Sequence, residues 1–193
     1  MMQQTQKQTG RRAAVQSVVF TGMLSAVSIV LYYLEFPLFS QYLKIDFSDL
    51  PAAVAGIFFG PGAGVAVELI KNLAHLPSTT TMGFGDLMNF IVGTALVLPL
   101  SLVARRMHRA GRPQAVCVDF GGAAGLCTMV AAGVLGNYLI APPYFQAVLH
   151  VTLTGPALWA AIGSATLLNL FKSVFTTLLL FPVLPAVGRF RGR

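Results

Sequence analysis

The sequence predicts an all-α integral membrane protein, a six-helix transmembrane bundle with both termini cytoplasmic. Three observations carry this. First, 55% of the 193 residues are hydrophobic and 10% are charged, against about 25% charged in soluble domains. Mean hydropathy is +0.73. Second, long apolar segments recur along the whole chain, which reads as one membrane domain over 1–193. Third, ten of the thirteen Lys and Arg residues fall into three clusters that flank those segments. The net charge of +7 is therefore placed for a bilayer, and no nucleic-acid partner is expected.

Residues 1–12 are polar and carry Lys7, Arg11 and Arg12. They read as a loose cytoplasmic tail. Ala13 to Leu34 follows as the first span, too long for a signal-peptide core of roughly 7–15 residues, so an uncleaved helix is expected. Glu35 to Asp49 is a loop. Within it, Leu43-Lys44-Ile45-Asp46-Phe47-Ser48-Asp49-Leu50-Pro51 interleaves apolar and polar residues. That spacing suits a short extended piece ending at a proline that opens a helix.

From Pro51 to Leu76 the chain is apolar again, interrupted by Gly60-Pro61-Gly62. As one helix it gives five spans and puts the clusters on opposite sides. Split at the glycines, it gives six spans and puts all three clusters on one side. The positive-inside rule favours the split. The halves are then shorter than the ~20 residues a flat bilayer needs, which is tolerated where protein lines a cavity. A polar turn covers 77–83. Phe84 to Val103 is the next span, followed by Arg105, Arg106, Arg109 and Arg112. Ala115 to Ile140 is another, ended by Pro142-Pro143. The stretch to Pro156 reads as a longer loop or interfacial helix. Leu158 to Val187 is the last span, the bundle covering 13–188, with Arg189, Arg191 and Arg193 in a basic tail at 189–193. Cys117 and Cys127 lack metal-ligand spacing and read as small buried residues.

Three basic residues remain outside the clusters: Lys44, Lys71 and Lys172. Lys71 follows Glu68 by three residues, so an ion pair along the helix is expected. Lys172 lies near the middle of the last span, where a lysine costs at least about 2.5–3.5 kcal/mol on insertion scales. It must face a polar interior. Asn169 lies three residues earlier on the same face, and Asn137 is another amide in an apolar run. Such amides often serve as interhelical glue, but Asn169 paired with Lys172 favours a ligand contact. Tyr138, Tyr144 and Trp159 fit interfacial anchors, and some can stack on a planar ligand. Gly22 and Ala26 make a small-xxx-small step on the first helix, a packing or docking face.

The chain contains no His-Glu-x-x-His, no phosphate-cradling loop and no Gly-x-Ser-x-Gly. It is not expected to be an enzyme. An intramembrane metal-dependent enzyme using His75 and His150 with Asp49 or Asp46 is the weaker alternative. A structural subunit without ligand conflicts with Lys172 at mid-membrane.

The 43–51 segment resembles the hallmark loop of the riboflavin-specific substrate-binding (S) components of energy-coupling factor (ECF) transporters. So do Phe59-Gly60-Pro61 with Leu69-Ile70-Lys71-Asn72-Leu73, Gly85-Asp86-Leu87-Met88-Asn89-Phe90, Asn137-Tyr138 with Pro143-Tyr144, and Asn169 with Lys172. The likeness runs from about Met23 to Phe181. It implies an ECF S-component fold and high-affinity riboflavin binding beneath the loop between helices 1 and 2. Riboflavin would be a transported ligand, with no cofactor. Asn137, Asn169 and Lys172 would make polar contacts, with Tyr138 beside them. Leu43, Ile45 and Phe47 would close over the ring, while Asp46 and Asp49 pin the loop or cap the next helix. Gly22 and Ala26 would dock a transmembrane coupling (T) subunit, and two ATPase subunits would supply energy in a prokaryotic plasma membrane. An S component for another vitamin or purine-like compound is the alternative within this class.

Overall fold

The computed structural model describes residues 2–40 and 43–191, with side chains described over 14–37, 44–148 and 150–188. Helix α1 (Met2–Tyr33) continues through the segment read as a loose tail. Ser25, Ser28 and Tyr32, at helical spacing, are buried, whereas Val18, Met23 and Val30 face outward. Strands β1 (Phe36–Ser40) and β2 (Leu43–Ile45) form an antiparallel hairpin, with Phe36 opposite Ile45 and Pro37 opposite Lys44. The extended piece expected near Leu43 is thus one arm of a ribbon.

The split at Gly60 is present. Helices α2 (Asp49–Phe59) and α3 (Pro61–His75) meet at Gly60, whose φ of 117° and ψ of 158° favour glycine. Pro61 opens α3 at its first turn, where its missing N–H costs nothing. The two helices run close together. A Cβ added to Gly64 would lie 2.8 Å from the Ala52 carbonyl oxygen. Buried residues run continuously from Pro51 to Gly56, so α2 is enclosed by its neighbours. At 11 and 15 residues, the pair measure about 16 and 22 Å at 1.5 Å per residue, each short of a ~30 Å hydrocarbon core.

Helix α4 (Phe84–Arg109) begins where the sequence places it and leads into the arginines. Helix α5 (Gln114–Leu149) does not stop at Pro142-Pro143 but runs through them. Proline removes the bonds to the carbonyls of Tyr138 and Leu139. Those residues lie on the exposed side of α5, and Tyr144 just beyond is buried against Phe84, ring centroids 5.4 Å apart. The outer segment, read as a longer loop or interfacial helix, is helical as far as Leu149 but as a continuation of α5, ending at His150 in the left-handed region. Helix α6 (Gly155–Arg191) closes the fold.

Four of these helices are long and apolar enough to cross a membrane: Ala14–Tyr33, Phe84–Arg109, Gln114–Val148 and Gly155–Gly188. Their packing uses small residues. A Cβ on Gly125 would sit 2.6 Å from the Leu96 carbonyl oxygen, and one on Gly121 2.8 Å from that of Leu100, so α4 and α5 approach backbone to backbone. Ala52, Val54, Val67, Leu96, Leu100, Met129 and Leu180 form the apolar core between α2, α3, α4, α5 and α6. Cys117 is buried, but Cys127 is exposed on the bundle's outside, contrary to the sequence reading, because the face of α5 carrying it has no neighbouring helix to cover it.

Candidate functional site

A cavity of about 500 Å³ lies between the N-terminal half of α4 and the halves of α5 and α6 that pack beside it. Phe84, Met88, Val92, Tyr144, Phe145 and Leu168 make it mostly apolar. Three amides punctuate that lining: Asn89 from α4, Asn137 from α5 and Asn169 from α6. Lys44, from the hairpin, stands at its edge and pairs with Glu35. Asn137 donates its Nδ2–H to the Gly133 carbonyl at 2.8 Å, which fixes its rotamer. Asn169 is buried, and its amide has no hydrogen bond among the described residues. Two close glycines shape the wall. Gly133 leaves room for the Asn169 amide, and Gly136 for the Met88 thioether, 2.8 Å from where a Cβ would stand.

Beside the cavity lies a cluster of buried charge. Lys71 pairs with Asp49 and, at 2.8 Å, with Glu68. Lys172 pairs with Asp46 at 3.0 Å and with Asp49 at 3.2 Å. The expected Glu68–Lys71 pair is thus one edge of a larger assembly. Such a group survives in an apolar interior only because each charge has a partner of opposite sign. Asp46 also accepts the Ser48 N–H at 2.8 Å, a turn-forming contact typical of Asp. Lys71 donates to Ser48 Oγ at 2.8 Å, and Ser28 of α1 donates to the Ser48 carbonyl at 2.6 Å. The turn joining the hairpin to α2 is therefore tied to α1, α3 and α6 at once.

Asn89 joins the two regions. Its Oδ1 accepts from Lys172 at 2.8 Å, and its Nδ2–H donates to Asn72 Oδ1 at 3.2 Å. Asn72 in turn donates to the Glu68 carbonyl at 2.8 Å. A smaller cleft adjoins, where Asp86 accepts from the Tyr32 hydroxyl at 3.1 Å and lies 2.6 Å from His75 Nδ1.

The residues singled out in sequence fall into several places. Asn137 and Asn169 line the cavity. Lys172 is buried and turned to Asp46, Asp49 and Asn89, and is not among the lining residues. Ile45 and Phe47 are half-buried at the hairpin's exit, where Phe47 meets Phe175 edge-on with centroids 6.4 Å apart. The side chain of Leu43 lies outside the described residues. Tyr138 is exposed beside Trp159, centroids 6.4 Å apart. Gly22 and Ala26 both face outward on α1, and nothing lies within 4 Å of a Cβ built on Gly22. His75 pairs with Asp86, and among the described residues no three of His, Cys, Asp and Glu are grouped to hold a metal ion.

Asn89, Asn72 and Asp86 were not singled out by their chemistry. The available signal was the one that selected Asn137 and Asn169: a polar side chain within an apolar helix.

A helical membrane bundle with a mostly apolar, amide-punctuated cavity is the form of a small-solute carrier subunit. Residues 16–184 match the family "ECF transporter, substrate-specific component", and the chain belongs to that family. It is 36% identical over 169 residues to the riboflavin transporter FmnP of Bacillus subtilis (strain 168), covering 84% of this chain and 87% of that protein. To the riboflavin transporter RibU of Streptococcus thermophilus (strain ATCC BAA-250 / LMG 18311) it is 27% identical over 175 residues, covering 88% and 75%. A solved structure described as the S component of a bacterial ECF transporter superposes with a TM-score of 0.72, at 24% identity, over 93% of this chain and 99% of the other. That last likeness is one of fold. The family is one of transporter components, not enzymes.

Proposed function

We propose that this chain is the high-affinity riboflavin-binding S component of an ECF transporter for vitamin uptake. The observation that carries the reading is the cavity itself. Its volume of about 500 Å³ falls within the range of small-ligand sites, which are largely apolar with a few placed polar groups. Riboflavin has a flat apolar ring edge, a uracil-like edge and a hydroxylated tail. Phe84, Met88, Tyr144 and Phe145 suit the first. The amides of Asn137 and Asn169, each with donor and acceptor atoms, suit the second.

Lys172 serves this site through Asn89. Its ammonium fixes the Asn89 carbonyl oxygen and so decides which face of that amide looks into the cavity. A direct contact with the ligand requires the ammonium to leave Asp46 or Asp49. Lys44 brings the hairpin to the cavity's edge. In this reading Leu43, Ile45 and Phe47 close over the ligand once it is bound, and the charge cluster holds the hairpin's exit in place. Tyr138 serves as a membrane-interface anchor with Trp159.

In this reading the bundle has six membrane helices, with α2 and α3 as two short members shielded by the rest. Both termini and the Arg105–Arg112 cluster face the cytoplasm of a prokaryotic cell, as the charge distribution favours. The outward face of α1 at Gly22 and Ala26 meets a transmembrane coupling subunit, and partner ATPases supply the energy. The direct test is the absorbance spectrum of the purified protein after exposure to riboflavin and desalting. Retained flavin bands support the assignment. A colourless protein that is stabilised instead by another vitamin or a purine in a thermal-shift screen overturns it.

A further inference from the structure

A second cavity, of about 570 Å³, lies at the arginine-bearing end of the bundle, between the ends of α2, α4 and α6 and the start of α5. Arg105, His108 and Arg109 line it, and among the described residues no carboxylate does. The remaining wall is largely apolar, with Phe58, Val118 and Leu184 from three different helices. Arg105 is half-buried and donates from Nη1 to the Ile57 carbonyl at 2.7 Å, which anchors its guanidinium at the cavity rather than along the surface. The positive-inside tendency accounts for arginines at this end. It does not account for three basic side chains converging on one concave, apolar-walled space.

We propose that this cavity binds the headgroup phosphate of an anionic phospholipid. Guanidinium groups match phosphate oxygens in charge and fork geometry. Basic pockets between membrane helices take such headgroups. The apolar wall favours an amphiphile over a free anion, because Phe58, Val118 and Leu184 offer surface to the glycerol backbone and acyl chains but nothing to phosphate. Arg105 and Arg109 hold the phosphate, and His108 supplies a further ring N–H donor. The bound lipid fills the gap between α2, α4, α5 and α6. The site is separate from the amide-lined cavity, and its test contains no flavin.

The experiment is a thermal-shift titration of the full chain in neutral detergent. The probes are phosphatidylglycerol, phosphatidylcholine with the same acyl chains, glycerol 3-phosphate and inorganic phosphate. Phosphatidylglycerol is expected to raise Tm saturably, with phosphatidylcholine needing about tenfold more for the same shift. The variant H108Q/R109Q, which leaves the Arg105–Ile57 contact intact, should lose that preference. R112Q, outside the lining, should keep it. Equal shifts from the two lipids, or an undiminished preference in H108Q/R109Q, overturn the proposal. The same saturable shift from inorganic phosphate or glycerol 3-phosphate overturns the lipid assignment. If H108Q/R109Q does not fold, R109Q alone is read against R109K. Preference lost in the first and kept in the second supports the site, and preference kept in both overturns it.

Discussion

Lys71 and Lys172 share the carboxylate of Asp49, and each holds a second acid of its own, Glu68 and Asp46 respectively. Two like charges converge on one oxygen pair because three acids surround them. Removing one lysine strands carboxylates in an apolar interior, which costs about 3–5 kcal/mol where a buried pair loses one partner. Lys71→Met is therefore expected to lower the Tm of the detergent-solubilised protein sharply. An unchanged Tm would mean that the cluster is solvated, not buried. The need for a polar partner at Lys172 was legible from its position alone, because no lysine can stay unpaired at mid-membrane. The partner itself was not. Asp46 and Asp49 lie more than 120 residues earlier in sequence, and spacing encodes neighbours along a helix but not between helices. Glu68 and Lys71, three residues apart on one helix, were legible for the opposite reason.

At the scale of elements, the junction at Gly60 decides the architecture. Its φ of 117° lies in a region costly for any residue with a Cβ, although nothing lies within 4 Å of a Cβ built there. The strain of Gly60→Ala is thus purely conformational, about 1–3 kcal/mol. Thermal unfolding should show it, and a neutral outcome would imply that the α2–α3 turn adapts freely. This junction was legible because the basic clusters fall on one side only if the chain turns there. The two prolines of α5 misled for an instructive reason. Proline breaks a helix through a lost bond and a steric clash, but neither sequence rule weighs what packs beyond it. Here Tyr144 against Phe84 holds the following turns in line. The hairpin was legible only as an extended piece, since the alternation within 43–47 does not reveal its partner strand, and Phe36 pairs with Ile45 across a register irregularity between Pro37 and Ser40.

At the scale of the whole molecule, the amide-lined cavity and the outward face of α1 are separate surfaces. The α1 span is mostly uncovered by the rest of the bundle, and Gly22 and Ala26 contribute nothing to the cavity. Gly22→Leu with Ala26→Leu should therefore leave flavin binding and Tm unchanged while abolishing uptake by the assembled transporter. Uptake at the normal rate would remove this face as the docking surface, and lost binding would show that α1 shapes the cavity. The membrane class was plain from hydropathy and charge placement. The internal division of labour was not, because it rests on which polar side chains reach the cavity and which reach one another.

Asn169 stands at the centre of this arrangement: buried, lining the cavity, with its amide unbonded among the described residues and Gly133 making room for it. The decisive measurement is a riboflavin titration followed by quenching of flavin fluorescence, on the native protein and on Asn169→Ala. Losing one ligand hydrogen bond in a buried site costs about 1–3 kcal/mol, so the variant should bind about tenfold more weakly or worse, with its Tm in the absence of ligand nearly unchanged. Equal affinity in the two proteins, or no quenching by the native chain, would contradict a flavin site in this cavity.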